Sequence, residues 1–324
     1  MRGTDIGFSS QARWSANGSI VAGGHGQGGE LSQLSKPWGL YVDDDLTVYV
    51  ADYSNHRIMA WSAGATSGQV LAGATPMRGT DIGFSSQARW SANGSIVAGG
   101  HGQGGELSQL SKPWGLYVDD DLTVYVADYS NHRIMAWSAG ATSGQVLAGG
   151  KGQGNRLDQL DYPTDIIVDR STDSLIICDR GNRRVIRWPR RGGTQGQILQ
   201  SSIACWGLTM DHRGFLYVTD TGNQEVRRSK VGDSQGTVVA GGNGQGDRVD
   251  QLKFPTYVFV DRDHSVYVAD NENHRVMKWV EGAQQGQVVA GGNGQGDSLK
   301  QLHYPKGVVT DGMGTVYVAD EGNH

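Results

Sequence analysis

The stretch Val42-Asp43-Asp44-Asp45-Leu46-Thr47-Val48-Tyr49-Val50-Ala51-Asp52 occurs, with variations, six times in this chain. Its relatives run Val118 to Asp128, Val168 to Asp179, Met210 to Asp220, Val260 to Asp270 and Thr310 to Asp320. From the second unit onward the starts fall 50, 42, 50 and 50 residues apart. A proline precedes five of the six, at Pro37, Pro113, Pro163, Pro255 and Pro305, and Cys205 takes its place in the fourth. Such a period suits one four-stranded blade of a β-propeller with its turns.

The fifth unit shows how the four strands divide. Tyr257 to Val260 and Ser265 to Ala269 are the first two, Arg275 to Trp279 the third, and Gln287 to Ala290 the fourth. Turn residues cluster between them, at Asp261-Arg262-Asp263, Asn271-Glu272-Asn273 and Gly291 to Gly296. The first two strands are apolar with weak alternation, as expected where neighbouring blades cover both faces. No segment of twelve or more residues carries helical periodicity, so the expected class is all-β.

An open row of blades would leave two exposed strand edges, and ring closure reduces that liability. The last unit stops after its second strand, at Gly322-Asn323-His324. Near the start, Gln11 to Trp14 and Ser19 to Gly23 resemble a third and a fourth strand. The expectation is a six-bladed β-propeller of four-stranded blades, closed by N- and C-terminal strands in one shared blade. Residues 1–73 and 77–149 are identical, which supplies seven outer strand pairs for six inner ones. Either residues 74–104 are extruded from a six-bladed ring, or residues 1–76 hang from a five-bladed one. Loop-closure entropy rises by only about 0.6 kcal/mol per doubling of loop length, so burial of an extra blade favours six. A single domain over 1–324 is expected, with 74–104 extruded.

Composition narrows the rest. Glycine is abundant (50 of 324 residues) and proline is not (7), which fits tight turns rather than disorder or collagen. With 19% charged residues and a net charge of −5, the chain as a whole does not read as a polyanion binder. No apolar run approaches eighteen residues, and Met1 to Ser10 lacks the pattern of a secretory signal. A soluble monomer is expected, with its compartment open. Cys178 and Cys205, the only cysteines, exclude a disulfide framework and a zinc ribbon.

Tyr-Val-Ala-Asp followed by Asn-His-Arg recurs at Asn55-His56-Arg57, Asn131-His132-Arg133 and Asn273-His274-Arg275. With Pro-x-Gly-Leu/Val before Val-Asp, the chain resembles the NHL repeat over nearly its whole length. Two units depart from the pattern, at Asn182-Arg183-Arg184 and Asn223-Gln224-Glu225. The resemblance implies a protein- or RNA-binding platform. A related six-bladed fold carries a peptide-amidating lyase, whose zinc needs three converging histidines that no inner strand here supplies.

The candidate chemistry is sparse. The Asn-His-Arg groups lie one per blade, too dispersed for a tetrahedral metal, and are read as satisfying turn groups. Gly-x-Gly-Gln-Gly lacks the lysine-serine pair of a phosphate loop, and no calcium-loop glycine and glutamate accompany Asp43 to Asp45. His212 and His264 are read as exposed turn residues. No catalytic residue, metal or cofactor is assigned. The residues entering the inner strands are more informative: Trp38, Trp114, Asp165, Trp206, Tyr257 and Lys306 would surround the channel mouth and bind a protein or peptide partner. The alternative is single-stranded RNA held by Arg183, Arg184, Arg187, Arg190, Arg191, Arg227 and Arg228. A lyase- or lactonase-like enzyme is the third reading.

Overall fold

A computed structural model describes residues 18–64, 89–233 and 236–324, which form β-strands joined by turns and short 3-10 segments. The first blade consists of β1 (Pro37–Val42), β2 (Val48–Asp52) and β3 (Arg57–Trp61). A two-residue ladder of β4 (Ala63–Gly64) and β5 (Arg89–Trp90) follows, and β6 (Ser95–Gly99) completes the blade as its outer strand. The second blade is β7 (Pro113–Val118), β8 (Val124–Asp128), β9 (Arg133–Trp137) and β10 (Gln145–Gly149). The third is β11 (Pro163–Asp169), β12 (Ser174–Asp179), β13 (Arg184–Pro189) and β14 (Gln197–Ser201). The fourth is β15 (Cys205–Met210), β16 (Phe215–Asp220), β17 (Glu225–Lys230) and β18 (Thr237–Gly241). The fifth is β19 (Pro255–Val260), β20 (Val266–Asp270), β21 (Arg275–Trp279) and β22 (Gln287–Gly291). A two-stranded sheet of β23 (Pro305–Thr310) and β24 (Val316–Asp320) lies between β19 and β1.

This architecture corrects the expected count. Among the described residues, five four-stranded blades and a two-stranded piece are present, not six four-stranded blades closed in a shared one. In the last sheet β23 and β24 alone pair among the described residues. Gln11 to Trp14 lies outside the described residues, and Ser19 to Gly23 adopts no strand. The N-terminal segment nevertheless reaches that sheet, through Gly18 N–H to Leu299 O (2.7 Å) and Gly24 N–H to His324 O (3.3 Å). Of the segment 74–104, residues 74–88 lie outside the described residues, and Ser95–Gly99 is the outer strand of the first blade.

Core packing runs between blades. Tyr125, Ala127 and Ile134 of the second blade pack with Ile166, Val168, Leu175 and Ile186 of the third. All five residues of β2, β8 and β20 are buried, which explains their unbroken Val-Tyr-Val-Ala run. The turn before each second strand is tied by an aspartate. Asp43 accepts the Thr47 N–H and the Tyr49 O–H, and Asp119, Asp211, Asp261 and Asp311 repeat the arrangement. His264, read as exposed, is buried beside Asp211, with Nδ1 3.2 Å from its carboxylate.

Inner strands approach one another closely where glycine follows the first channel residue. A β-carbon on Gly207 would stand 2.6 Å from Thr256 O, and one on Gly307 2.7 Å from Trp38 O. Glycine is therefore a steric requirement at these close approaches, whereas Asp165 and Tyr257 stand at the same position in the third and fifth blades.

Candidate functional site

The repeated Asn-His-Arg is wiring. Asp52, wholly buried, accepts from Ser35 N–H, Asn55 and Arg57 at 2.8 Å each. Arg57 also donates to Gly29, Glu30 and Gln33 carbonyls, and Asn55 to that of Gly28. The Gly-x-Gly-Gln-Gly turn is thus tethered to its own blade. Burial raises the Asp52 carboxyl against the opposing pull of these donors.

The histidine works between blades. It sits in the left-handed conformation after a 3-10 turn, as at His56 (φ 55°). Its Nδ1 accepts the backbone N–H of the residue before the next proline: His56 from Lys112, His132 from Tyr162, His274 from Tyr304 and His324 from Lys36. Gln224 Oε1 does the same for Phe254. At the junction of the third and fourth blades, Arg183 replaces the histidine, and a Cys178–Cys205 disulfide joins β12 to β15. Sequence reading gave the two cysteines no pairing; one stands at a proline position, the other at the end of the preceding unit's second strand.

On this latched face the predicted channel residues come together. Trp38, Trp114 and Trp206 stack on one another, with centroids 4.2 Å (Trp38–Trp114), 4.8 Å (Trp114–Trp206) and 6.0 Å (Trp38–Trp206) apart. They are 8%, 5% and 4% exposed, so the mouth is plugged by indoles rather than open. Lys306 Nζ lies 4.1 Å from the Trp38 centroid and 3.4 Å from Glu321, and burial lowers its pKa. Tyr257 and Asp165 occupy two positions that are glycine in the other units, deeper along the axis. Asp165 accepts the N–H groups of Ile166 and Leu208, yet burial pushes its pKa up to about 8.

Sequence reading missed the outer part of this cluster. Tyr129 stacks on Trp114 at 3.9 Å and meets Tyr162 at 4.7 Å, Tyr53 stacks on Trp38 at 5.4 Å, and Phe254 packs edge-on to Trp206 at 4.8 Å. Arg180 lies 4.4 Å over Trp206. The recurring Asp-Tyr and Tyr/Phe-Pro dipeptides were the available signal.

The arginine cluster is not one surface. Arg184 pairs with buried Asp179, Arg190 with Asp119, Arg227 with Glu225 and Arg228 with Glu281. Arg191 lies 3.7 Å from Asp173, Arg187 donates to Gln197, and Arg183 alone joins the latched face.

Comparison with known proteins agrees with this architecture. A family model of the NHL repeat matches residues 34–59 and 110–135. No curated protein matches the chain. Among solved structures, a Bacteroides thetaiotaomicron protein of unknown function is similar at TM-score 0.64 and 15% identity, over 94% of this chain and 73% of that one. A gluconolactonase from Xanthomonas campestris reaches 0.59 and 15%, over 90% and 88%. A chain of a nidogen/laminin complex reaches 0.55 and 19%, over 79% and 80%. With NHL repeats matched at residues 34–59 and 110–135 and the blades built around them, the chain is a β-propeller that carries NHL repeats.

Proposed function

We propose that this propeller is a binding platform for a protein or peptide, and that the latched aromatic face receives the partner. One observation carries the reading. The residues before the prolines, Lys36, Lys112, Tyr162, Phe254 and Tyr304, all hold left-handed backbones with φ between 48° and 56°. A side chain there costs roughly 1–2 kcal/mol relative to glycine's freedom. Large side chains are nevertheless kept: Tyr162 and Phe254 join the aromatic cluster, and Tyr304, 38% exposed, packs on His274. Strain retained around a rim is a pointer to recognition.

The other readings have less behind them. Ion pairs and dispersal consume most of the arginines that an RNA strand would need. The likeness to a gluconolactonase carries the fold alone at 15% identity. Among the described residues, no three His, Cys, Asp or Glu side chains gather to hold a metal ion.

The test is to pan a random peptide library on the immobilised chain, then measure enriched peptides on a Tyr162→Ala/Phe254→Ala/Tyr304→Ala variant. A loss of about tenfold or more in affinity is expected for three truncated contact residues. Unchanged affinity would place binding elsewhere and overturn the reading.

A further inference from the structure

We infer that the aromatic face recognises a carboxylate, so that its partner presents an acidic side chain or a free C-terminus. This rests on the binding reading above and specifies the chemistry of the same face. Two independent observations carry it.

The first is a set of buried donors without acceptors. Trp38 Nε1, Trp206 Nε1 and the Tyr257 hydroxyl, all in one cluster, have no hydrogen-bond partner among the described residues. Trp114 Nε1 is also unpaired, though it lies toward the Tyr53 hydroxyl. Leaving such a group unsatisfied costs about 1–3 kcal/mol, and folded proteins retain few of them. An indole N–H can only donate, so whatever completes this cluster must accept.

The second is the placement of unpaired cations. The chain carries a net charge of −5, and most of its arginines on other faces are in ion pairs. On this face Lys36, Lys112, Arg180 and Arg183 have no carboxylate within 4.0 Å among the described residues. Lys112 lies 5.9 Å from the Tyr53 centroid, and Arg180 holds its guanidinium carbon 4.4 Å from the Trp206 centroid. The acidic groups nearby have partners: Glu321 pairs with Lys306, Glu272 with Lys253, and Asp161 accepts from Gln153. Burial pushes the Asp165 carboxyl up to about 8, which weakens its repulsion of an anion. A stacked guanidinium beside indole donors fits the planar, two-oxygen geometry of a carboxylate. Phosphate is the other anion with suitable acceptors, and the overall negative charge works against a polyanion.

Fluorescence anisotropy with four labelled probes tests the inference. They are a Glu-Gly hexapeptide with amidated end, a Gln-Gly isostere with free C-terminus, the same isostere amidated, and a six-uridine oligonucleotide. A charge-assisted contact is worth about tenfold in affinity, so one of the two carboxylate-bearing peptides should exceed the amidated isostere by that factor. Which one does identifies the source of the carboxylate. Arg180→Gln should remove most of the preference and Lys112→Gln part of it. Trp206→Phe, which keeps an aromatic ring and deletes the donor, should weaken carboxylate binding selectively, while Arg191→Gln should leave it unchanged. Near-ultraviolet circular dichroism identifies any misfolded variant, and the two surface substitutions then stand alone. Equal binding of all three peptides would overturn the carboxylate and leave the platform standing. Tighter binding of the oligonucleotide would overturn the peptide assignment, and no binding by any probe would overturn both readings.

Discussion

At the scale of single residues, the histidine latch has a pH dependence built into it. Nδ1 accepts an N–H from the next blade, and protonation turns that acceptor into a donor. Burial lowers the pKa of His56, His132 and His274 from the ordinary 6.5. Lys112 adds to the lowering at His56 and His303 and Lys253 at His274, while Asp52, Asp161, Asp179, Asp128 and Glu272 oppose it at one or another site. The unfolded chain therefore takes up these protons first. The stabilisation is full above about 6.5 and is lost as pH falls through the lower folded values. Gln224 performs the same task without titrating. A His56→Gln/His132→Gln/His274→Gln variant is expected to melt at a temperature that changes less between about pH 7 and pH 5 than wild type does. Parallel melting curves for the two proteins would refute the latch as the titrating element. Much of this motif was legible: three residues recurring beside a turn aspartate point to local wiring. The histidine's partner was not, because it lies 56 residues away at His56 and 30 at His132. The channel-lining position of Trp38, Trp114 and Trp206 was likewise readable from their place after the proline position. That the indoles stack and close the mouth depends on distances across the ring, which no one-dimensional pattern carries.

At the scale of elements, each blade junction is held by packing and a latch, except where β12 meets β15. There the Cys178–Cys205 bond spans a sequence separation of 27 residues, and Arg183 stands on the latched face in place of a histidine. A Cys178→Ser/Cys205→Ser variant is expected to lose about 2–4 kcal/mol of stability, measured by urea unfolding. A midpoint and slope equal to wild type would show that apolar contacts such as Ile176, Val185, Leu208 and Val218 hold this junction alone. The strands themselves were well read: inner and second strands were found wherever Val-Asp and Tyr-Val-Ala-Asp mark them. The blade count failed for a physical reason. Identical copies offer the same outer-strand letters twice, at Ser19 to Gly23 and Ser95 to Gly99, and only packing chooses between them.

At the scale of the whole molecule, the last sheet meets the first blade through β23 and β24 against β1, and His324 accepts the Lys36 N–H at 3.2 Å. Asn323 adds bonds to Asp320 and Gly296. Removing Asn323 and His324 is expected to lower stability by about 1–3 kcal/mol, read from a thermal melt. A melt identical to that of the full chain would mean that strand packing alone brings the two ends together. The duplicated strands β3 and β9 show how much freedom the outer edge retains. Their letters are identical, yet β3 takes Ser95–Gly99 as its neighbour and β9 takes Gln145–Gly149, with the same register and the same bulge. Between strand and neighbour the second blade spends only Ser138 to Gly144, whereas the first runs from Ser62 to Gly94. The perimeter of each blade is thus a splice port. A reporter domain inserted between Ala139 and Ala141 would ride outside the ring, leaving the tryptophan-filled axis undisturbed.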